Sequence, residues 1–173
     1  GPKGVGCLYV RRGTRMAPLV RGGGQERNRR AGTENVAGLV GFGVAATLAR
    51  QGLEAERARL AALRDRLEAR LLAIPGALRN GGEPRLPNTA NVSFEGTESE
   101  ALLIALDLEG IAVSTGAACA AGGVEPSHVL RAMGLPPERV QSSLRLSLGR
   151  GTTEADVDHA AEVITRAVAR QRR

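Results

Sequence analysis

The chain has 173 residues, 42% of them hydrophobic, enough to bury a core in one domain or in parts of two. Aromatic residues make up only 2%, so that core falls to Leu, Val, Ile and Ala. The net charge of +6 is nearly all arginine, much of it alternating with acids as in LEAERARLAALRDRLEARL, a solvated helix face; with one Tyr and two Phe to stack on bases, direct nucleic-acid binding is not expected.

The run VGCLYVRRGTRMAPLV predicts two short strands, Val5 to Val10 and Met16 to Val20, with Arg11 to Arg15 turning between them. Cys7 in the first is expected in the core, where free cysteines commonly lie. RGGGQERNRRAGTENV follows. Its three successive glycines forbid regular structure and allow close backbone approach. Thr33 is an expected N-cap for a helix starting near Glu34. Two readings stay open for this segment: a flexible connector ahead of a capped helix, or an anion site built from glycine-loop and helix-start N–H groups.

From Glu34 to Ile74 the pattern is helical. Leu60, Leu63, Leu67, Leu71 and Ile74 recur at spacings of three and four and form one apolar stripe. Gly52 is a possible break, and Pro75-Gly76 ends the run. The heptad is too short for a coiled coil, so a long helix bridging two domains is expected. NGGEPRLPNT reads as a loop and ANVSF as a strand. Thr97 and Glu100 have capping-box spacing for the helix ESEALLIALDLEG, which Gly110 closes. IAVS is a short strand leading into STGAACAAGG. There Cys119 sits among small residues, either a reactive thiol on a mobile loop or a small hydrophobe in a tight turn. Pro126 opens the helix PSHVLRAMG, where His128 has no evident acid or nucleophile partner and is read as structural.

SSLRLSLG alternates strictly, with Leu144, Leu146 and Leu148 on one face and Ser143, Arg145 and Ser147 on the other. Arg145 between two serines has a recess suited to a planar anion such as a carboxylate. TTEADVDHAAEVITRAV is an amphipathic helix carrying Val157, Ala161, Ile164 and Val168 on one side, and the tail ARQRR is expected to fray. The order of elements predicts an α/β fold. Cys7 and Cys119, with His128 and His159, match neither a disulfide framework nor a metal-ligand spacing. No apolar run reaches membrane-spanning length and no signal peptide is visible, so the expected location is cytoplasmic.

Five stretches, GPKGVGCLYVRRG, GGGQERNRRAGTEN, PNTANVSF, STGAACAAGGVEPSHVLRAMG and SSLRLSLGRGTTEADVD, together resemble the cysteine desulfurases of the class-V aminotransferase family, in particular those serving iron–sulfur assembly. The resemblance runs over essentially the whole chain. It implies the pyridoxal-phosphate (PLP) fold of type I, like aspartate aminotransferase. Residues 1–33 would then end the large PLP-binding domain, 34–75 would form the connecting helix or helices, and 76–173 would be the small C-terminal α/β domain carrying the cysteine loop.

It also implies roles. Cys119 matches the nucleophile that takes sulfur from L-cysteine as a persulfide, leaving L-alanine. Arg145 matches the arginine that holds the substrate α-carboxylate. Thr33 matches the threonine that reaches the PLP phosphate of the partner subunit in a homodimer, with Arg27 and Arg30 nearby. The sulfur would pass to an iron–sulfur scaffold or another acceptor protein. Lys3, the only lysine, matches a turn lysine; the Schiff-base lysine and most PLP ligands would precede Gly1, so the chain alone is expected to be inactive. Two alternatives stay open: a selenocysteine lyase or other class-V relative, and a non-catalytic domain derived from the fold.

Overall fold

A computed structural model describes residues 1–115 and 127–173 of the chain. These fall into two units, Gly1–Leu53 and Glu54–Arg173.

The first unit holds the glycine-rich segment and the start of the long helix. The expected strands at Val5 to Val10 and Met16 to Val20 do not form; neither run has ladder partners among the described residues. The expected turn does form, with Thr14 N–H donating to Arg11 O at 3.1 Å. A lone pair of strands is marginal without a third strand or a helix against it. For the same reason Cys7 is exposed rather than in a core, and Leu8 and Tyr9 stand 74% and 84% exposed. After the three glycines, a single turn, α1 (Gln25–Asn28), carries left-handed backbone at Glu26, Arg27 and Asn28, with φ of 48°, 57° and 62°. The three glycines themselves form no regular structure, as expected, and consecutive left-handed L-residues are costly enough that α1 stays a single turn.

Helix α2 runs from Val36 to Leu72. Its cap is Asn35, whose Oδ1 accepts the Gly38 N–H at 3.0 Å, and not Thr33. An Asx side chain two residues closer to the first turn satisfies the open donor first. Gly52 does not break the helix, because a single glycine costs only about 1 kcal/mol and the residues on either side are strong helix formers. One 18-residue window of α2 has a mean hydropathy of 1.3 and is long and apolar enough, by composition, to cross a membrane. This corrects the expectation of no such run: Val, Leu, Phe and Ala are frequent enough to hold the average up although Gly and Thr interrupt them.

The second unit is built on a three-stranded antiparallel sheet, β1 (Ala77–Arg79), β2 (Thr89–Phe94) and β3 (Ser143–Ser147), in that spatial order. Helices α3 (Ser99–Asp107) and α6 (Glu154–Gln171) and the second half of α2 supply its apolar cover. The short α4 (His128–Ala132) and α5 (Pro137–Gln141) precede β3. The α2 stripe is buried as expected, Leu67 at 3% and Leu71 at 0% exposure, among Val92, Phe94, Leu144 and Ile164. Leu144, Leu146 and Leu148 face this core, as do Val157, Ala161, Ile164 and Val168 of α6.

Several local expectations change. Thr97 does not cap α3; its hydroxyl donates back to Phe94 O at 2.7 Å in a buried turn, and Glu98 takes the cap position without a side-chain bond. Gly110 does close the helix, at φ 78°, with its N–H donating to Asp107 O. IAVS pairs only at Ser114. Helix α4 is capped by Ser127, whose Oγ accepts the Leu130 N–H; Pro126 lies outside the described residues. The arginine tail does not fray. Helix α6 continues to Gln171, and Arg172 donates to Glu95 O and Pro75 O, each at 2.8 Å. Those carbonyls sit at turns whose own ladder bonding has ended, so a guanidinium with five donors satisfies both.

Candidate functional site

Arg145 lies in the middle of β3 on the exposed face, where the alternation places it. Of the two serines that flank it along the strand, Ser147 is exposed and Ser143 is buried. Ser143 is 1% exposed and committed: its Oγ donates to Arg139 O at 2.6 Å and accepts from Asn80 Nδ2 at 2.8 Å. The neighbours of Arg145 come from across the sheet. Asn91 of β2 stands directly opposite, and Ser114 is bridged to it on the other side.

The main-chain bonds define both pairings. Arg145 N–H donates to Ser114 O at 2.6 Å and Ser114 N–H donates to Arg145 O at 3.1 Å. Both polar groups of Arg145 therefore face Ser114, which makes Arg145 and Asn91 a non-hydrogen-bonded pair, the closer type. Their Cβ atoms are on the order of 4.5–5.5 Å apart by the geometry of such pairs. Asn80 continues the row, its N–H donating to Asn91 O at 2.8 Å. A line of polar residues thus crosses the sheet: Asn80, Asn91, Arg145, Ser114. Among the described residues no carboxylate forms an ion pair with Arg145.

A network fixes one end of the line. Arg139 Nε donates to Asn80 Oδ1 at 2.7 Å, and Asn80 Nδ2 donates to Asn91 Oδ1 at 2.7 Å. Arg139 is anchored in turn on Arg79 O at 2.6 Å. Sequence reading missed Asn80, Asn91 and Arg139. Alternation does place Asn91 on the polar face of ANVSF, but nothing local reveals its partner on β3.

Cys119 lies outside the described residues. Thr33 belongs to the other unit. There it lines a cleft of about 480 Å³ with Gly4, Gly6, Cys7, Arg30 and Gly32. Thr33 and Arg30 supply a hydroxyl and a guanidinium suited to a phosphate group, with the carboxylates of Glu26 and Glu34 lining the same cleft. Lys3 is not among the lining residues, so of PLP these donors suit the phosphate end alone, and no lining residue supplies an amine for its aldehyde. Among the described residues, no three His, Cys, Asp or Glu side chains are grouped to hold a metal.

The chain belongs to the class-V aminotransferase family, whose model matches residues 1–160. Its α/β fold is accordingly that of the PLP-dependent aminotransferases. It is 54% identical over 173 residues to a cysteine desulfurase of Gluconacetobacter diazotrophicus, which covers 99% of this chain and 43% of that protein. It is 52% identical over 173 residues to the cysteine desulfurase NifS of Azotobacter vinelandii, with the same coverage. A solved NifS-like protein superposes with a TM-score of 0.80 at 35% identity, covering 93% of this chain and 41% of that one. The chain therefore spans less than half the length of these relatives.

Proposed function

We propose that the chain is the C-terminal portion of a PLP-dependent cysteine desulfurase. In this reading Arg145 holds the α-carboxylate of L-cysteine, its planar fork matching the two carboxylate oxygens. The Cys119 thiolate attacks the substrate sulfur. The new S–S bond forms as the substrate Cβ–S bond breaks, the electron pair and a proton end on Cβ, and L-alanine leaves. The enzyme keeps a persulfide. PLP, when bound, supplies the electron sink for that cleavage. Thr33 contributes a hydroxyl to the PLP phosphate of the partner subunit in a homodimer. The persulfide sulfur then goes to an iron–sulfur scaffold or another acceptor protein in the cytoplasm.

One observation carries the reading: the main-chain exchange between Ser114 and Arg145. Ser114 is where the chain enters the stretch that bears Cys119, five positions further on. A chain spans at most about 3.6 Å per residue, so Cys119 is tethered to Ser114, the cross-strand partner of Arg145, by no more than about 18 Å of chain. Identity above 50% to cysteine desulfurases supports the same assignment.

The test uses the full gene product with PLP and L-cysteine. Alanine formation and a persulfide on Cys119, seen by mass spectrometry as one added sulfur, are expected. Cys119→Ser is expected to abolish both. Sulfur release that survives Cys119→Ser would overturn the nucleophile assignment and favour a lyase that works without a protein thiol.

A further inference from the structure

Arg139 can only donate hydrogen bonds, so the Asn80 atom it meets must be the carbonyl oxygen. Asn80 then has its NH2 group left for Asn91, and the Asn91 atom it meets must be Oδ1. The arginine thus fixes both carboxamides in turn. Asn91 is left with its NH2 group, which has no partner among the described residues. The residue directly opposite is Arg145. A guanidinium and an NH2 group cannot bond each other, because neither accepts. Two donor groups at paired positions across neighbouring strands offer a site to a group that can accept from both.

We propose that Asn91 Nδ2 is a second donor to the carboxylate that Arg145 binds, and that Arg139, acting through Asn80, is the positioning residue that keeps the NH2 end of Asn91 on offer. This rests on the reading of Arg145 as the carboxylate ligand. An ionised carboxylate has two oxygens and about four lone-pair sites. A bidentate arginine uses two of them, and Asn91 takes a third. The device sharpens the choice of ligand: an amide or ester of the same amino acid offers one fewer full acceptor oxygen and no charge.

The test compares two non-reacting probes on the full gene product, L-alanine and L-alaninamide, by calorimetric titration with and without PLP. Asn91→Ala is expected to weaken L-alanine about tenfold to a hundredfold, the range for a hydrogen bond to a charged group, and to leave L-alaninamide unchanged. Asn91→Asp, which replaces the donor with a negative charge, is expected to weaken L-alanine further. Asn80→Ala frees the Asn91 carboxamide to turn, and a smaller loss of about twofold to fivefold is expected, again for L-alanine only. Should Asn91→Ala fold poorly, Asn91→Val keeps a strand-forming residue without a donor and gives the same comparison. Equal weakening of both probes, or of neither, overturns the proposal. Arg145→Ala separates the two levels. If it abolishes discrimination while Asn91→Ala does nothing, only the second donor is wrong. If it leaves L-alanine binding intact, the carboxylate assignment itself is wrong.

Discussion

Ser114 and Arg145 exchange a pair of main-chain hydrogen bonds at 3.1 and 2.6 Å, although no other residue of IAVS joins the sheet. The entry to the Cys119 stretch is therefore pinned at one point, beside the arginine. Ser114→Pro removes the N–H that donates to Arg145 O. A lost main-chain bond costs about 1 kcal/mol of stability, so the protein should still fold. Alanine formation from L-cysteine should fall about tenfold or more, because the stretch is no longer launched from a fixed position. A variant with normal turnover would detach catalysis from this pairing.

Leu71 is wholly buried where α2 meets the sheet and α6. Leu71→Ala should lower unfolding free energy by about 2–5 kcal/mol in denaturant titration, the range for emptying a packed leucine site. Leu72, 39% exposed, provides the control; alanine there should cost far less.

Thr153 caps α6 reciprocally with Asp156. Its Oγ1 accepts the Asp156 N–H at 3.2 Å, and Asp156 Oδ2 accepts the Thr153 N–H at 2.8 Å. Thr153→Ala should destabilise by about 1 kcal/mol, and Thr153→Ser should recover most of it. Thermal melts of the two variants decide the matter.

Asp158 of α6 takes hydrogen bonds from Arg66 Nε and Nη2 and from Arg70 Nη1, all between 2.7 and 2.8 Å. These guanidinium donors, Arg66 first, hold its carboxyl well below the usual carboxylate range. A carboxyl depressed on folding adds stability that is complete above its unfolded value, about 3.9, and is lost as pH falls through the lower folded value. Asp158→Asn should therefore melt below the parent at neutral pH, and the gap should close as pH drops below about 4. A gap that persists unchanged into strong acid would show that the pair acts through packing rather than charge.

Short-range information carried much of this protein. The α2 stripe, the alternation of β3, the αL glycine after α3 and the apolar side of α6 all depend on residues within a turn or a few strand positions of each other. Side-chain period and backbone freedom therefore made them legible. The same locality explains the errors. Thr33 and Thr97 have capping chemistry, but Asn35 and a buried turn compete for the same donors and acceptors at distances that sequence spacing does not rank. The run from Val5 to Val20 has strand composition, yet composition cannot supply the neighbouring strand that a ladder requires.

The candidate site divides along the same line. The sequence by itself put Arg145 on a polar face and, through five stretches in order, pointed to the class-V aminotransferase family to which the chain belongs. Which residues stand beside Arg145 was a matter of register. Asn91 and Ser114 meet it from segments far away along the chain, and a slip of one residue would turn every side chain to the opposite face. That register is set by burial of Val92, Phe94, Leu144 and Leu146 against the helices, a cooperative property of the folded core. Only the tertiary structure could therefore say that an arginine, two carboxamides and the entry to the cysteine stretch lie in one row.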